Sequence, residues 1–465
     1  MIAPAREIRR IWPWWIGAAL FIALLLLLCA AIAWLFFEVV PPVSHKIALR
    51  TIAVGIVANV CCALVGTYLV LRRMSLLGDA ISHAVLPGIA LAVIFTGRVD
   101  GWPVLAGAMV VGVLTALLAQ ALQGFGQVSE DSSLGVVYTS LFALGVIMLQ
   151  IWAPHGHLDV DCVLFGAIEN TGLSPPLVWL SIGWPPALLK LLPVLAIVLA
   201  LIVVGWKELL LVSFDAPLAR AMGLPALAIH LAMMGVVAMV TVASFESVGS
   251  ILVVPMLVAP AATARLLVDR LSTTLLVAAL TAAIAAVLGY LTAYAWNTSV
   301  AGMMAAIVGC ELALAVMFSP RHGLASRWLR NLLLAVQIAA EDIVARRYRA
   351  EERGTEIATA ESEATWLVSL LAQFRVRRKG WLSRQQGQTR LTNRGRQHAQ
   401  SIVRAHRLWE SYLATHFDLA ADHLHAPAER MEHFLDAELQ QQLADELAHK
   451  QLDPHGSPIP PRVEE

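Results

Sequence analysis

From Trp12 to Phe318 the chain is a succession of apolar runs, and after Pro320 the pattern turns to Arg, Glu, Gln and His. A helix rises about 1.5 Å per residue, so about 20 apolar residues cross the hydrocarbon core of a bilayer. The runs predict spans over residues 12–38, 49–71, 78–96, 102–122, 134–152, 186–206, 226–244, 248–264, 273–295 and 300–318; eight or nine spans with a re-entrant piece fit the same pattern. Beyond 320 a helical, Arg-rich stretch runs to Arg353. A further helix is predicted over Thr365–Arg378, where Trp366, Leu367, Leu370, Leu371 and Phe374 share one apolar face. Lys379-Gly380 stops it. Trp381-Leu382-Ser383 and Thr389-Arg390-Leu391 then read as a short hairpin, and two longer helices follow over 393–416 and 426–448. That order suggests a winged helix.

Composition changes the picture in one respect: 58% hydrophobic and 14% charged residues exclude an ordinary soluble enzyme. The formal net charge of zero averages two unlike halves and says nothing about partners. The five cysteines (Cys29, Cys61, Cys62, Cys162 and Cys310) all lie in the apolar part without a CxxC pair, so neither a zinc knuckle nor a disulfide framework is supported. Arg6, Arg9 and Arg10 precede an apolar run that continues to Val40, too long for a signal peptide and read as a first span. Cytoplasmic loops are enriched in Lys and Arg. With the N-terminus inside, Arg72 and Arg73, Lys207, Arg265 and Arg270, and Arg321 all fall on the cytoplasmic side, as does everything after residue 320.

Ionisable residues inside the apolar part are the first candidates for chemistry. Asp79 and His83 stand four apart, so on one helix face. They fit either an interfacial pair that ties down a helix end or a role in a pathway. His155, His157, Asp159 and Asp161 fall in a loop on the outer side; these ligand types suit Mn, Fe and Zn, and an exposed polar loop is the plainer alternative. Glu246 sits in a tight outer connection. In the polar part His406 and Glu410 are spaced i, i+4, and Glu429, Glu432 and His433 are spaced i, i+3, i+4, with His425 just before them. Each set projects from one helix face and together they could close around a divalent cation.

Several ordered segments carry a resemblance: residues 71–91 (LRRMSLLGDAISHAVLPGIAL), 130–146 (EDSSLGVVYTSLFALGV), 160–168 (VDCVLFGAI), 207–225 (KELLLVSFDAPLARAMGLP), 248–267 (VGSILVVPMLVAPAATARLL) and 319–323 (SPRHG). Over roughly 45–320 the chain resembles permease subunits of ABC importers for manganese, zinc and iron. The resemblance implies a second permease chain forming a dimer with the pathway at its centre, and a solute-binding protein that delivers the ion. It also implies a coupling helix that docks on the ATPase, here carried by Phe214, Asp215, Ala219, Arg220, Gly223, Leu224 and Pro225. No GxxxxGK[ST] phosphate loop occurs in the 465 residues. The chain is therefore expected not to be an enzyme, with ATP hydrolysed by a separate ATP-binding subunit. Asp79 and His83 match the Gly-Asp-Ala-x-Ser-His motif of these permeases, which implies a part in coupling or ion passage.

A second resemblance is carried by Leu391–Arg396, Arg404–Glu410, His425–His433 and Asp453–Pro460. This stretch resembles the metal-sensing and dimerisation part of the diphtheria-toxin-repressor family of iron- and manganese-dependent repressors. Carried over by position, His406, Glu410, His425, Glu429, Glu432 and His433 fall on metal-ligand positions. Glu429 stands where iron-responsive members often place Cys and manganese-responsive members Glu, which leans the site towards Mn(II). Asp342 matches an N-terminal ligand position, while the next expected acidic position holds Ala345. The interval from Asp342 to Trp366 is short for a complete helix-turn-helix. Arg375, Arg377, Arg378 and Lys379 fit phosphate contacts or positive charge beside the bilayer equally well.

The expected fold is an all-α polytopic membrane protein of about 8–10 transmembrane helices, similar to type II ABC importer permeases, with a C-terminal, mostly α winged-helix and dimerisation domain. Expected domains are an N-terminal helix (1–44), a permease domain (45–320), a linker with a degenerate winged-helix region (321–390) and a metal-binding and dimerisation domain (391–465). The expected function is import of a divalent transition metal (Mn, Fe or Zn) across the cytoplasmic membrane, both termini inside, with the metal also a regulatory ligand of the appended domain. The alternative is a membrane-tethered, metal-dependent DNA-binding regulator.

Overall fold

The computed structural model describes residues 34–97, 102–126, 129–152, 168–175, 177–179, 182–320, 322–354, 365–385, 388–417, 423–448 and 450–462. It divides into two compact units, Met1–Leu324 and Ala325–Glu465.

The first unit is a helical bundle. Its helices are α1 (His45–Leu71), α2 (Ser75–Ala84), α3 (Leu86–Thr96), α4 (Trp102–Gly126), α5 (Glu130–Trp152), α6 (Pro186–Val204), α7 (Trp206–Phe214), α8 (Ala216–Ala221), α9 (Ala226–Val248), α10 (Ser250–Leu267), α11 (Leu271–Trp296) and α12 (Val300–Phe318). A helical turn, Ile168–Thr171, and a hairpin of β1 (Leu177–Trp179) with β2 (Ile182–Trp184) lie between α5 and α6. Among the described residues seven helices are long and apolar enough to cross a bilayer, and Leu86–Thr96 and Val253–Leu267 are shorter apolar helices. The expected span over 12–38 falls largely outside the described residues.

The expected span over 78–96 is not one helix. It breaks at Val85, whose backbone N–H still reaches Ile81 O at 3.1 Å, and a new helix starts with Pro87 in its first turn. Proline has no N–H to donate and its ring obstructs the preceding turn, so a helix start suits it best, although Pro193 lies inside α6 and Pro255 and Pro260 inside α10.

Lipid offers no hydrophobic driving force between helices, so close packing of small residues holds such bundles together. α1 is the hub. Along it Ala63 packs with Ala264, Ala278 and Ala282 of α10 and α11. At Gly66 a Cβ would lie 1.8 Å from the carbonyl oxygen of Leu257, so α1 and α10 touch backbone to backbone.

The second unit comprises α13 (Leu324–Arg353, whose first residue belongs to the first unit), α14 (Trp366–Arg378), a hairpin of β3 (Leu382–Gln385) with β4 (Gln388–Leu391), α15 (Asn393–His416), α16 (His425–Met431) and α17 (Ala437–Glu446). The helix, hairpin, helix order matches the winged-helix expectation. The second long helix, expected over 426–448, is instead two short ones. Asp436 accepts a 2.9 Å hydrogen bond from Leu439 N and thereby starts α17, which separates it from α16. Thr392 joins hairpin to α15: its hydroxyl accepts from Gly395 N at 3.0 Å and donates to Gly380 O at 2.7 Å. One apolar cluster holds Ala340, Val344, Ala372, Val376, Trp381, Ala399 and Val403; a second holds Ala405, Leu408, Leu435, Leu443 and Leu447.

Gly66→Ala should therefore destabilise the bundle by more than the ~1–3 kcal/mol usual for overpacking, because the obstacle is backbone. Gly302→Ala, whose Cβ would meet only Ser299 at 3.7 Å, serves as the neutral control. Fluorescence-monitored melting of the detergent-purified protein checks both; equal melting temperatures would contradict the packing described.

Candidate metal centre and coupling surface

Two groups of metal-ligand side chains form in the second unit. In the first, α15 presents His406 and Glu410 one turn apart, both buried, and the start of α16 brings in His425. His406 Nε2, Glu410 Oε1 and His425 Nδ1 lie 3.0 Å from one another. Metal bonds of about 2.1 Å at right angles put neighbouring ligand atoms about 3.0 Å apart, so three donors at these separations fit a first-row divalent ion. His455 Nε2 stands 3.8 Å from Glu410 Oε1. It is held there by the C-terminal segment: Asp453 Oδ1 accepts from His455 N and Ser457 N, and Arg407 donates to Pro458 O and to both Glu352 oxygens.

The second group joins the end of α16 to α13. His433 Nε2 is 3.1 Å from Asp342 Oδ1 and 3.7 Å from Glu432 Oε1. Its other ring nitrogen is 2.8 Å from Glu341 Oε2. A carboxylate on the far side of an imidazole fixes the ring's orientation and strengthens it as a ligand. Glu341 is itself steadied by Gln337 at 3.0 Å and by His398 at 3.6 Å, whose ring stacks on Trp381. Glu432 Oε2 meets His406 Nδ1 at 2.5 Å and Arg349 Nη2 at 2.8 Å. His406 thus touches both groups.

Electrostatics follow from this geometry. Burial alone would raise Glu341 and Glu410, yet the neighbouring imidazoles of His398 and His433, and of His406 and His425, hold each down to about 2. Burial would lower His433, but the Asp342 and Glu341 carboxylates push it up to about 9. His406 is likewise raised against the effect of burial by Glu410 and Glu432.

The structure thus brings together His406, Glu410 and His425, and separately Asp342, Glu432 and His433. Glu429 belongs to neither group and is exposed. Sequence reasoning passed over Glu341, His398, Arg349 and His455. The adjacent carboxylate beside Asp342 was the available signal for Glu341; His398 and His455 come from segments whose approach no local spacing reveals.

In the first unit, α8 is a short knob closed at both ends. Asp215 Oδ1 accepts from Leu218 N at 2.9 Å; at the other end Gly223 N donates to Arg220 O and Leu224 N to Ala219 O, both at 3.0 Å. Gly223 has φ +79, which a side chain disfavours. Ala219 is buried, whereas Phe214, Leu218 and Met222 are exposed. Beside the knob a cavity of about 500 Å³ is lined by Arg72, Gln120, Gln123, Phe214, Arg220 and His230 among others. His83 is half-buried, its ring 5.8 Å from Phe142 and 6.3 Å from Tyr138. Asp79 lies in α2 and Glu246 in α9, but both side chains are outside what the structure describes. His155, His157, Asp159 and Asp161 lie outside the described residues altogether.

Residues 44–319 match the family described as ABC 3 transport family. The chain belongs to that family. Residues 392–461 match the iron dependent repressor, metal binding and dimerisation domain, so a permease and a repressor-type metal domain are joined in one polypeptide. The chain is 45% identical over 282 residues to the manganese transport system membrane protein MntD of Bacillus subtilis (strain 168), covering 60% of this chain and 95% of that one. It is 34% identical over 359 residues to the zinc transport system membrane protein TroD of Treponema pallidum (strain Nichols), covering 75% and 96%. Among solved structures, PsaBC from Streptococcus pneumoniae in complex with Fab is similar with a TM-score of 0.51 and 32% identity, over 61% of this chain and 94% of that one. Seven apolar helices in a permease of this family make the protein a multi-pass membrane protein.

The His433 shift sets a pH dependence in chelator-treated protein. Its folded pKa of about 9 exceeds the ordinary 6.5, so its contribution to stability is complete below pH 6.5 and is lost as pH rises through about 9. Glu341 and Glu410, held near 2, contribute constantly across that window. Thermal melting of the second unit should fall over this range, and His433→Gln should flatten the dependence.

Proposed function

We propose that this protein is the membrane permease of an importer that moves a divalent transition metal, Mn, Fe or Zn, into the cytoplasm, and that its second unit senses the same ion there. The family membership supports transport; the observation that carries sensing is the convergence of His406, Glu410 and His425 at 3.0 Å separations. The relatives' manganese and zinc names and the mixture of carboxylate oxygen with imidazole agree on the class of ion.

In this reading a separate ATP-binding subunit docks on the knob formed by α8, with Phe214, Asp215, Ala219, Arg220, Gly223, Leu224 and Pro225 shaping it and Leu218 and Met222 adding exposed apolar contact. A solute-binding protein delivers the ion, with His155, His157, Asp159 and Asp161 at the outer mouth. Two permease chains pair around the pathway, in which Asp79 and His83 take part in passage or coupling. Both termini are cytoplasmic. The domains are the four expected from the sequence.

Sensing needs no chemistry beyond ligand exchange. Asp342, Glu432 and His433 would hold a divalent ion, which would supply two positive charges among the carboxylates in place of the His433 proton. Glu341 keeps the ring oriented. Glu429 would join only after α16 shifts, since it now faces solvent. Feedback on transport requires different affinities in two states of the unit, because equal affinity shifts no equilibrium. For a role in reading DNA, α14 offers a mixed surface, with Trp366, Leu370 and Phe374 exposed beside Gln373 and Arg377.

Two outcomes follow for uptake of radiolabelled Mn(II) in cells or proteoliposomes containing all subunits. Glu432→Ala with His433→Ala should abolish inhibition by internal metal while basal uptake persists; uptake still inhibited by internal metal would refute sensing. Gly223→Val should strain the knob, reduce uptake to near background and release the ATP-binding subunit on purification at unchanged membrane level. Retained subunit and uptake would remove α8 as the coupling element.

A further inference from the structure

The helix α13 has two unlike halves. From Val336 onward its apolar side is buried in the second unit, where Val336, Ala339, Ala340, Val344 and Ala345 are all buried. Before Val336 the same side is exposed: Leu324, Trp328, Leu329 and Leu333 are 53, 65, 51 and 52% exposed among the described residues. At about 100° per residue these four, with Ala325, Leu332 and Ala335, fill one half of the helix surface. Ser326, Arg327, Arg330 and Asn331 occupy the other half, and Leu334 lies outside the apolar arc.

What covers the apolar half is indicated by the chain just before it. α12 ends at Phe318, and six residues reach at most about 20 Å, so Leu324 cannot leave the neighbourhood of the bilayer surface. The connection is shorter still, because Gly323 N donates to Ser319 O at 3.0 Å and Ser319, buried, bonds Leu266 O at 2.5 Å. A Trp- and Leu-rich face opposite two arginines is the composition of a helix that lies in the plane of the headgroups. Tryptophan concentrates at that depth, and arginine is drawn to anionic lipid.

We propose that Leu324–Leu334 of α13 docks in the bilayer interface, with Leu324, Trp328, Leu329 and Leu333 at the acyl boundary and Arg327 and Arg330 toward anionic phospholipid headgroups. The inference rests on α12 spanning the membrane and is independent of metal sensing. It gives the repressor-type unit a second attachment to the membrane besides its covalent tether. The same uninterrupted helix then carries Glu341 and Asp342 of the metal groups.

The test uses the full chain in liposomes, with photoreactive p-benzoylphenylalanine in place of Trp328 or, separately, of Arg330. Irradiation followed by mass spectrometry should give severalfold more phospholipid adducts at 328 than at 330. Arg327→Glu with Arg330→Glu, in the 328-labelled protein, should lower that yield in liposomes containing anionic lipid and leave it unchanged in purely zwitterionic ones. Crosslinks from 328 to a second copy of the chain in place of lipid would overturn the proposal, as would equal lipid yields at the two positions. Yields in anionic liposomes that ignore the charge reversal would overturn the assignment of the arginines.

Discussion

Buried negative charge is the constraint on which the second unit depends. Glu341, Glu410 and Glu432 are all buried, and a buried carboxylate is tolerated only when a cation or several donors meet it. His398 and His433 meet the first, His406 and His425 the second, His406 and Arg349 the third. These partners come from α13, α15 and the α16 segment, so charge compensation, as much as the modest apolar clusters, decides how the segments are assembled. Substituting a divalent ion for protons changes that compensation without changing the ligands.

The first unit answers to a different solvent. Its interior is held by close approach of small residues, and its exposed apolar side chains face what would be lipid. Gly66 shows how tight the approach is: the neighbouring backbone occupies the space of a methyl group. Buried polar side chains bond along the helices themselves: Thr67 donates to Ala63 O and Thr115 to Val111 O, each at 2.8 Å, while Asn59 reaches across to Ala282 O at 3.3 Å. A knob such as α8, with both ends hydrogen-bonded, moves as a body, which is what the proposed coupling to an ATP-binding subunit requires.

Much of this was legible in the sequence because hydropathy and helical spacing are local. The long spans and the i, i+4 pairing of His406 with Glu410 followed from such patterns, whereas the coupling role of α8 came only from the resemblance. What was missed required knowledge of distance in space or of single breaking residues. Pro87 split an apparently continuous span; Asp436 started a new helix within a pattern that looked unbroken. Glu429 carried the right residue type at the right interval, yet the short α16 turns it to solvent. Conversely His455 reaches Glu410 only because Arg407 and Asp453 fold the C-terminal segment back onto α15.

α13 fixes a phase relation as well as a distance. Between Trp328 and Asp342 the sequence holds neither glycine nor proline, and the helix runs unbroken. Fourteen residues at about 100° each bring Asp342 within roughly 40° of Trp328 around the axis. A single-residue insertion between them would leave every ligand and every apolar side chain chemically intact while rotating one set by about a quarter-turn relative to the other. With Leu324–Leu334 docked as proposed, the helix would store angular information, and its length would matter residue by residue even where its side chains do not.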